Sequence, residues 1–214
     1  IGLAKFAREE GLPIVPRGSG TGLSGGSVAV NGGIVLCMTR LNKILEIDEE
    51  NLTATAQSGV VTLDFFNAVM AKGLFYPPDP GSQKISTLGG NVMEDAGGLR
   101  GLKYGVTRDY VMALKCVLPD GSLLSTGGKS VKDVAGYAFK DLLIGSEGTL
   151  AIITEITVKL IPPPTCWFQE PRRKRSGPIA VATDPDLRIH AHLPSPPRYP
   201  DRDTGKLFTN KRIW

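Results

Sequence analysis

Glycine clusters separate short apolar runs throughout the first 164 residues, which contain 24 of the 26 glycines. Glycine weakens long helices and strands but supplies the positive φ angles of tight turns, so this alternation predicts short elements joined by turns. Near the start, five runs have strand character: 14–15, 28–30, 33–38, 44–47 and 52–56. The chain is therefore predicted to begin with a β-rich region.

Four segments show helical spacing of their apolar residues. Residues 1–8 predict the second half of an amphipathic helix, with Leu3, Phe6 and Ala7 on one side. Because this helix has no start and the chain has no initiator methionine, we expect the sequence to be a fragment. Three further helices are predicted at 63–72, 88–96 and 141–144. Thr62 is the expected cap of the first of these three.

The clearest hairpin signal joins a strand at 111–118 to a strand at 123–126 through the turn Pro119-Asp120-Gly121-Ser122. A long strand is also predicted over 150–161. Helices are too few, and hairpin connections too frequent, for a doubly wound parallel sheet. The fold class is therefore predicted to be α+β.

The composition, with 41% hydrophobic and 21% charged residues, is that of a globular protein. Its formal charge of +4 arises in residues 165–214, which carry +5, whereas residues 1–164 carry −1. A nearly neutral body argues against a nucleic-acid partner. No stretch approaches 18 consecutive apolar residues and no secretory signal is visible, so we predict no membrane span and a cytoplasmic or other soluble location.

A domain boundary is predicted at Pro162-Pro163-Pro164, where the composition changes. Residues 165–214 hold 7 of the 16 prolines, so we predict a domain at 1–164 followed by an irregular basic tail with no recognisable domain. The basic run 172–175 is predicted to be a solvated stretch rather than a nuclear-import or phosphate-binding patch. His190-Ala191-His192 lacks nearby carboxylates and cysteines, so no metal site is predicted.

Three cysteines, Cys37, Cys116 and Cys166, are too far apart for a disulfide framework or a C-x-x-C metal site. Unpaired cysteine packs like a small hydrophobic residue. Cys37 and Cys116 are therefore predicted to be buried free thiols.

The segment after the first strand matches two familiar patterns that its context argues against. Residues 20–25 fit G-x-G-x-x-G, but a dinucleotide site of the Rossmann type needs a helix to open there, and the following sequence is not helical in character. Residues 22–26 fit the G-x-S-x-G nucleophile elbow, which needs a histidine base. Residues 1–164 contain no histidine, so a hydrolase is not predicted unless His190 or His192 reaches this serine from the tail.

The run Arg17-Gly18-Ser19-Gly20-Thr21-Gly22 combines small residues with one guanidinium and two hydroxyls. Successive backbone N–H groups in such a run bind anions without a helix, and glycine permits the close approach. This run predicts a phosphate cradle. A glycine-rich turn between strands is the alternative that the run alone leaves open.

Further motifs follow this cradle in order: Pro77-Pro78-Asp79-Pro80, Thr87-Leu88-Gly89-Gly90-Asn91, Ala96-Gly97-Gly98, Lys103-Tyr104-Gly105, and Gly145 to Ile153. Together they resemble the FAD-binding domain of the vanillyl-alcohol-oxidase or p-cresol methylhydroxylase type. Within that family of FAD-linked oxidases they are most similar to the glycolate oxidase and D-lactate dehydrogenase branch. The resemblance covers residues 1–164 and implies a two-subdomain α+β fold.

The resemblance implies FAD as the cofactor, held non-covalently because the cradle has no histidine or cysteine for attachment. It places the pyrophosphate on the cradle, the flavin beside residues 87–91, and the adenine and ribose near Gly148. Core packing is an alternative role for Leu88, Ile152 and Ile153. The implied cofactor contacts are Arg17, Gly18, Ser19, Gly20, Thr21, Gly22, Pro78, Asp79, Thr87, Leu88, Gly89, Gly90, Asn91, Gly97, Gly98, Tyr104, Gly105, Glu147, Gly148, Ile152 and Ile153.

The reaction that the resemblance implies is oxidation of a small 2-hydroxy acid, such as glycolate or D-lactate, with electrons passing to FAD and then to an acceptor. In the family a C-terminal domain supplies the substrate-binding groups. Residues 165–214 do not resemble it, so no catalytic residue is identified. Asp95 stands where relatives commonly have asparagine, and a carboxylate cannot donate a hydrogen bond. A non-catalytic truncated product, a cell-wall-precursor reductase and a sugar-lactone oxidase stay open as alternatives.

Overall fold

The computed structural model describes residues 1–164, which lie in one compact unit. The predictions of an irregular tail, of a solvated basic run and of no metal at the histidine pair lie outside these residues. Within residues 1–164, no helix has the length and apolar character needed to cross a membrane. The same residues contain no group of three or more His, Cys, Asp or Glu arranged to hold a metal ion.

Two sheets organise the described residues. The smaller one pairs β1 (Ile14–Arg17) in parallel with β2 (Ile34–Cys37). The larger is antiparallel and contains β3 (Ile44–Asp48), β4 (Thr53–Gln57), β5 (Val111–Val117), β6 (Leu123–Gly127) and β7 (Ile152–Lys159). Its strand order is β3-β4-β7-β5-β6. The predicted hairpin is confirmed, since β5 and β6 pair directly across the turn at 119–122.

The α-helices described are α1 (Gly2–Glu9), α2 (Thr62–Ala71), α3 (Leu88–Glu94), α4 (Gly101–Tyr104) and α5 (Phe139–Leu143). A 3₁₀ helix follows α4 at Thr107–Asp109. Sequence periodicity missed α4 and the 3₁₀ helix because neither is long enough to show a repeat. Helices beside an antiparallel sheet confirm the α+β class.

One hydrophobic core joins α2 and α3 to the larger sheet. Its largest fully buried side chains include Phe65, Leu88, Leu114 and Ile156. The ring of Tyr76 packs edge-on against Phe65, with 5.2 Å between ring centroids. Burial of these large side chains holds α3 against the sheet. This position is important because α3 forms one wall of the site described below.

The predicted strand at 28–30 is wrong. Val28 N donates to the carbonyl oxygen of Gly25 at 2.9 Å, which closes a turn, and the Val30 side chain is exposed. A strand needs a neighbouring edge with which to exchange backbone hydrogen bonds, and this segment has none within the described residues. Apolar residues in an exposed turn therefore imitated a strand pattern.

Two helix details are also corrected. Thr62 does not cap α2, because its hydroxyl donates to the carbonyl oxygen of Ser86 at 2.9 Å and the N-cap position belongs to Val61. The buried residues of α2 are Thr62, Phe65 and Val69. α1 buries Ala4 and Ala7, while Leu3 and Phe6 of the predicted face are exposed.

Cys37 is exposed, so its predicted burial is wrong, whereas the burial of Cys116 is confirmed. Side chains alternate along β2, and this strand turns Ile34 and Leu36 partly inward. Cys37 falls on the opposite face together with the exposed Val35.

Candidate functional site

A cleft of about 360 Å³ lies between the loop that follows β1 and the start of α3. The end of β1 contributes Pro16 and Arg17, and the loop contributes residues 18–24 with Gly26 and Ser27. The residues from α3 and its N-cap are Thr87, Gly89, Gly90, Asn91, Met93 and Glu94. Ser58 after β4, Gly148 before β7 and Ile153 within β7 also line it. The cradle and the second glycine motif, which are about 70 residues apart in sequence, therefore face one cavity.

The backbone of the cradle lies close to two side chains of α3 and its N-cap, those of Thr87 and Glu94. A Cβ atom added to Gly18 would collide with the hydroxyl of Thr87, and one added to Gly22 would collide with the carboxylate of Glu94. Gly20 adopts φ +71°, a conformation that side chains rarely permit. Glycine is thus favoured at position 20 by the backbone conformation and at position 18 by the closeness of Thr87, whereas the end of the Glu94 side chain can move away from a Cβ at position 22.

Thr87 begins α3 and caps it, since its hydroxyl accepts a hydrogen bond from Gly90 N at 3.2 Å. The buried Asn91 amide donates to the Thr62 hydroxyl at 2.7 Å, which ties α3 to α2. Gly89 N donates to the carbonyl oxygen of Ser58 at 2.7 Å. These bonds hold the α3 wall rigidly, so part of the role of Thr87 and Asn91 is structural.

Charged side chains of both signs line the cleft. Arg17 is the one cationic side chain among its described lining residues, and Glu94 and Glu147 are the acidic ones. The Ser24 hydroxyl donates to Glu147 Oε2 at 2.8 Å and lies 3.3 Å from Glu94 Oε1. Ser24 therefore links the cradle loop to α3 and to the loop before β7.

Thirteen of the sequence-predicted residues line this cleft: Arg17, Gly18, Ser19, Gly20, Thr21, Gly22, Thr87, Gly89, Gly90, Asn91, Glu147, Gly148 and Ile153. Eight lie outside its lining: Pro78, Asp79, Leu88, Gly97, Gly98, Tyr104, Gly105 and Ile152. Sequence reasoning missed other lining residues, among them Ser24, Ser58, Met93 and Glu94. Glu94 and Ser24 stand within or beside recognised motifs, whereas Ser58 carries no motif signal at all.

Some of the residues outside the lining have clear structural contacts. Asp79 is buried, accepts a hydrogen bond from Arg100 N at 3.0 Å and lies 3.5 Å from Arg100 Nε. A Cβ atom added to Gly98 would collide with the Asp79 carboxylate. Leu88 is part of the core, and the Tyr104 carbonyl accepts a hydrogen bond from the Tyr110 hydroxyl at 2.7 Å.

Asp95, the departure from the family pattern, ends α3 in the left-handed conformation at φ +49°. Its carboxylate accepts hydrogen bonds from Arg108 N at 2.8 Å and Arg108 Nε at 2.9 Å. The same guanidinium donates to the carbonyl oxygens of Asp141 and Ile144 at the end of α5. A carboxylate at this position thus has a cationic partner, and the pair joins the ends of two helices.

Neither described cysteine lines the cleft. Burial raises the pKa of the Cys116 thiol to about 11. A hydrogen bond with the Thr39 hydroxyl, at 3.2 Å, lowers the pKa of the exposed Cys37 thiol. The described lining contains no histidine either, so it offers no usual side chain for covalent attachment of a flavin.

Comparison with protein families gives one match over most of the described region: residues 1–127 match the family described as FAD binding domain. This chain belongs to that FAD-binding family. The family assignment confirms FAD as the cofactor that the sequence predicted. Its residue range includes the cradle and all of α3, which are the two main walls of the cleft.

The curated relatives of this family member are longer proteins. The chain is 64% identical over 156 residues to the protein named glycolate oxidase subunit GlcD of Bacillus subtilis, covering 73% of this chain and 33% of that protein. It is 41% identical to the protein named D-lactate dehydrogenase of Anaerostipes hadrus, covering 99% of this chain and 45% of that protein. The chain therefore spans between a third and just under half of these relatives.

A solved structure of alkyldihydroxyacetonephosphate synthase superimposes with a TM-score of 0.66 at 30% identity. The match covers 77% of this chain and 32% of that chain. This likeness confirms the predicted fold of the p-cresol methylhydroxylase type.

The cleft fits the chemistry of FAD. Glycines at 18, 20 and 22 leave the backbone accessible, as close contact with phosphate requires. A Cβ atom at any of these positions would collide with a neighbouring side chain. Arg17 adds one cation for the two negative charges of the pyrophosphate. Apolar residues such as Ile153 and Met93 offer surface to flat rings.

Proposed function

We propose that this chain is the FAD-binding part of an oxidoreductase that oxidises a 2-hydroxy acid, of the glycolate or D-lactate type, to the 2-oxo acid. The observation that carries the proposal is the cleft formed by the cradle and α3 in a chain so similar to a protein named as part of glycolate oxidase. A relative named D-2-hydroxyglutarate dehydrogenase, from Xanthomonas citri, is 43% identical over 162 residues and supports the same substrate class.

We assign the residues of the cleft according to their chemistry. The cradle binds the pyrophosphate through backbone N–H groups, assisted by the guanidinium of Arg17. Thr87 to Asn91 form the wall against which the cofactor packs, because glycine at 89 and 90 keeps that wall flat. Ile153 and Gly148 accommodate the adenine end. When bound, FAD supplies the hydride acceptor, and these residues bind and orient it.

The proposal places the substrate-binding groups outside this chain. We further propose that residues 1–164 form the FAD-binding domain and that 165–214 are not part of it. Binding of the hydroxy acid and of the electron acceptor would then require segments that the longer relatives possess. FAD is held non-covalently, since the described cleft lining offers neither histidine nor cysteine.

The proposal is tested with a chimera. The matching 156-residue segment of the Bacillus subtilis glycolate oxidase protein is replaced by that of this chain. We expect the purified chimera to contain bound FAD. We also expect that adding glycolate in the absence of oxygen bleaches the flavin absorbance. A folded chimera without flavin would contradict the proposal, and so would a chimera whose flavin stays oxidised after glycolate is added. The unaltered relative serves as the positive control.

Removal of residues 165–214 is expected to leave FAD affinity unchanged within about threefold. The physical reason is that the cleft is lined by residues from 16 to 153, whereas the tail is rich in proline and has little apolar periodicity. The affinities of the full chain and of residues 1–164 are compared by titration with FAD. A larger loss on truncation would show that the tail contributes to the cofactor site.

A further inference from the structure

Ser58 has a buried hydroxyl for which the described residues provide no partner. The residue is 2% exposed, and its Oγ has no hydrogen bond within residues 1–164. Its backbone is fully engaged: Ser58 N donates to the carbonyl oxygen of Thr154 at 3.0 Å, and its own carbonyl accepts from Gly89 N at 2.7 Å. The position is therefore fixed, and its hydroxyl alone is left without a partner.

Ser58 also lines the cleft. On the α3 side its Cβ is held tightly, since a Cβ added to Gly89 would lie 2.7 Å from it. That close packing fixes the Ser58 side chain beside Gly89, and it leaves no room for a side chain at position 89. A buried hydroxyl without a partner is unfavourable, so its presence at a ligand cleft points to a partner that the ligand supplies.

Thr53 provides an internal comparison. Its hydroxyl is also buried and without a partner among residues 1–164, and Thr53 is 1% exposed. Both residues belong to the same stretch of chain, at the start of β4 and just after it. Thr53, however, is absent from the lining of the cleft. The two residues share burial and lack of a partner and differ in their access to the cofactor.

We infer that Ser58 is a cofactor-binding residue whose hydroxyl donates a hydrogen bond to an oxygen atom of bound FAD. This inference rests on the proposed occupation of the cleft by FAD. The acceptor is an oxygen of the pyrophosphate or a carbonyl oxygen of the flavin ring, since both accept a hydrogen bond from a hydroxyl. Bound FAD thus satisfies a polar group that the fold leaves buried and unpaired.

The test compares Ser58→Ala with Thr53→Val in the full 214-residue chain. We expect Ser58→Ala to weaken FAD binding about tenfold, which corresponds to about 1.4 kcal/mol. The Tm of the FAD-free variant should be equal to or above that of the wild type, since the unpaired hydroxyl is gone. Thr53→Val should leave FAD affinity unchanged. Affinity is measured by calorimetry and Tm by circular dichroism.

Binding of ADP and of riboflavin then identifies the acceptor. If Ser58→Ala weakens the binding of ADP, the acceptor oxygen belongs to the pyrophosphate. If it weakens the binding of riboflavin, the acceptor oxygen belongs to the flavin ring. Ser58→Cys is the second variant, for use if the alanine variant folds poorly. Its side chain is similar in size to that of serine, but the thiol is a weaker hydrogen-bond donor, so FAD binding should again be weaker than in the wild type. FAD affinity within twofold of the wild type in both folded variants would overturn the inference. A wild-type chain that binds no FAD would instead overturn the proposed site itself.

Discussion

Replacing Gly20 by Val is expected to weaken FAD binding by well over tenfold while the fold persists. Gly20 adopts φ +71°, and an added Cβ would lie 2.9 Å from the Arg17 guanidinium. A branched side chain would therefore strain the cradle, displace the one cation of the described lining and occupy the space proposed for the pyrophosphate. The cradle loop lies outside the hydrophobic core, so the remaining structure should be retained. Titration with FAD measures the loss.

Gly25→Val is the matched control for this variant. Gly25 belongs to the same loop and has a similar φ of +86°, but an added Cβ would meet nothing within 4 Å. It also lies outside the lining of the cleft. We expect the control to retain FAD affinity within about threefold. Equal losses in both variants would mean that loop strain, and not the loss of a phosphate cradle, explains the effect.

Replacing Gly89 by Ala is expected to destabilise the protein itself. The added Cβ would lie 2.7 Å from Ser58 Cβ and 2.9 Å from the Ser58 carbonyl oxygen, so α3 would have to move away from the residue that follows β4. Overpacking costs about 1–3 kcal/mol, and contacts this short place the expected cost near the upper end, which lowers Tm by about 10 °C in a domain of this size. Thermal unfolding of the FAD-free protein, followed by circular dichroism, measures the shift.

The neighbouring Gly90 supplies the control for this second prediction. An added Cβ there would meet only the Thr87 hydroxyl, at 3.2 Å, and alanine favours a helix over glycine. We therefore expect Gly90→Ala to change Tm by no more than a few degrees. A Gly89→Ala variant as stable as Gly90→Ala would show that the contact between α3 and Ser58 is not as tight as described.

Local sequence signals predicted the elements that depend on nearby residues. The hairpin of β5 and β6 was predicted because Pro119, Asp120 and Gly121 specify a turn regardless of the rest of the chain. The run at 28–30 misled because a strand also requires an edge to pair with, and that edge is set by the whole fold. Thr62 misled for a similar reason, since its hydroxyl bonds to Ser86, 24 residues away.

The same distinction applies to the site. The cradle run could be identified from the sequence because its six residues are consecutive, and all six line the cleft, while their phosphate-binding role stays a prediction. Ser58 was missed because it approaches the cleft only through the pairing of β4 with β7 and its contact with Gly89. Asp79 was predicted from the family motif, yet the structure shows it bonded to Arg100 away from the cleft lining. The cofactor role of Asp79 stays a prediction, as do the roles of the predicted residues inside the lining and of the others outside it.

Non-covalent FAD binding by this chain is tested most directly by its flavin content. The purified 214-residue chain is incubated with FAD, passed through gel filtration and then precipitated with acid. The cleft lined by the cradle and α3 predicts flavin absorbance that co-elutes with the protein and passes completely into the acid supernatant. Folded protein that elutes without flavin would contradict the site, and flavin that stays with the precipitated polypeptide would contradict non-covalent binding.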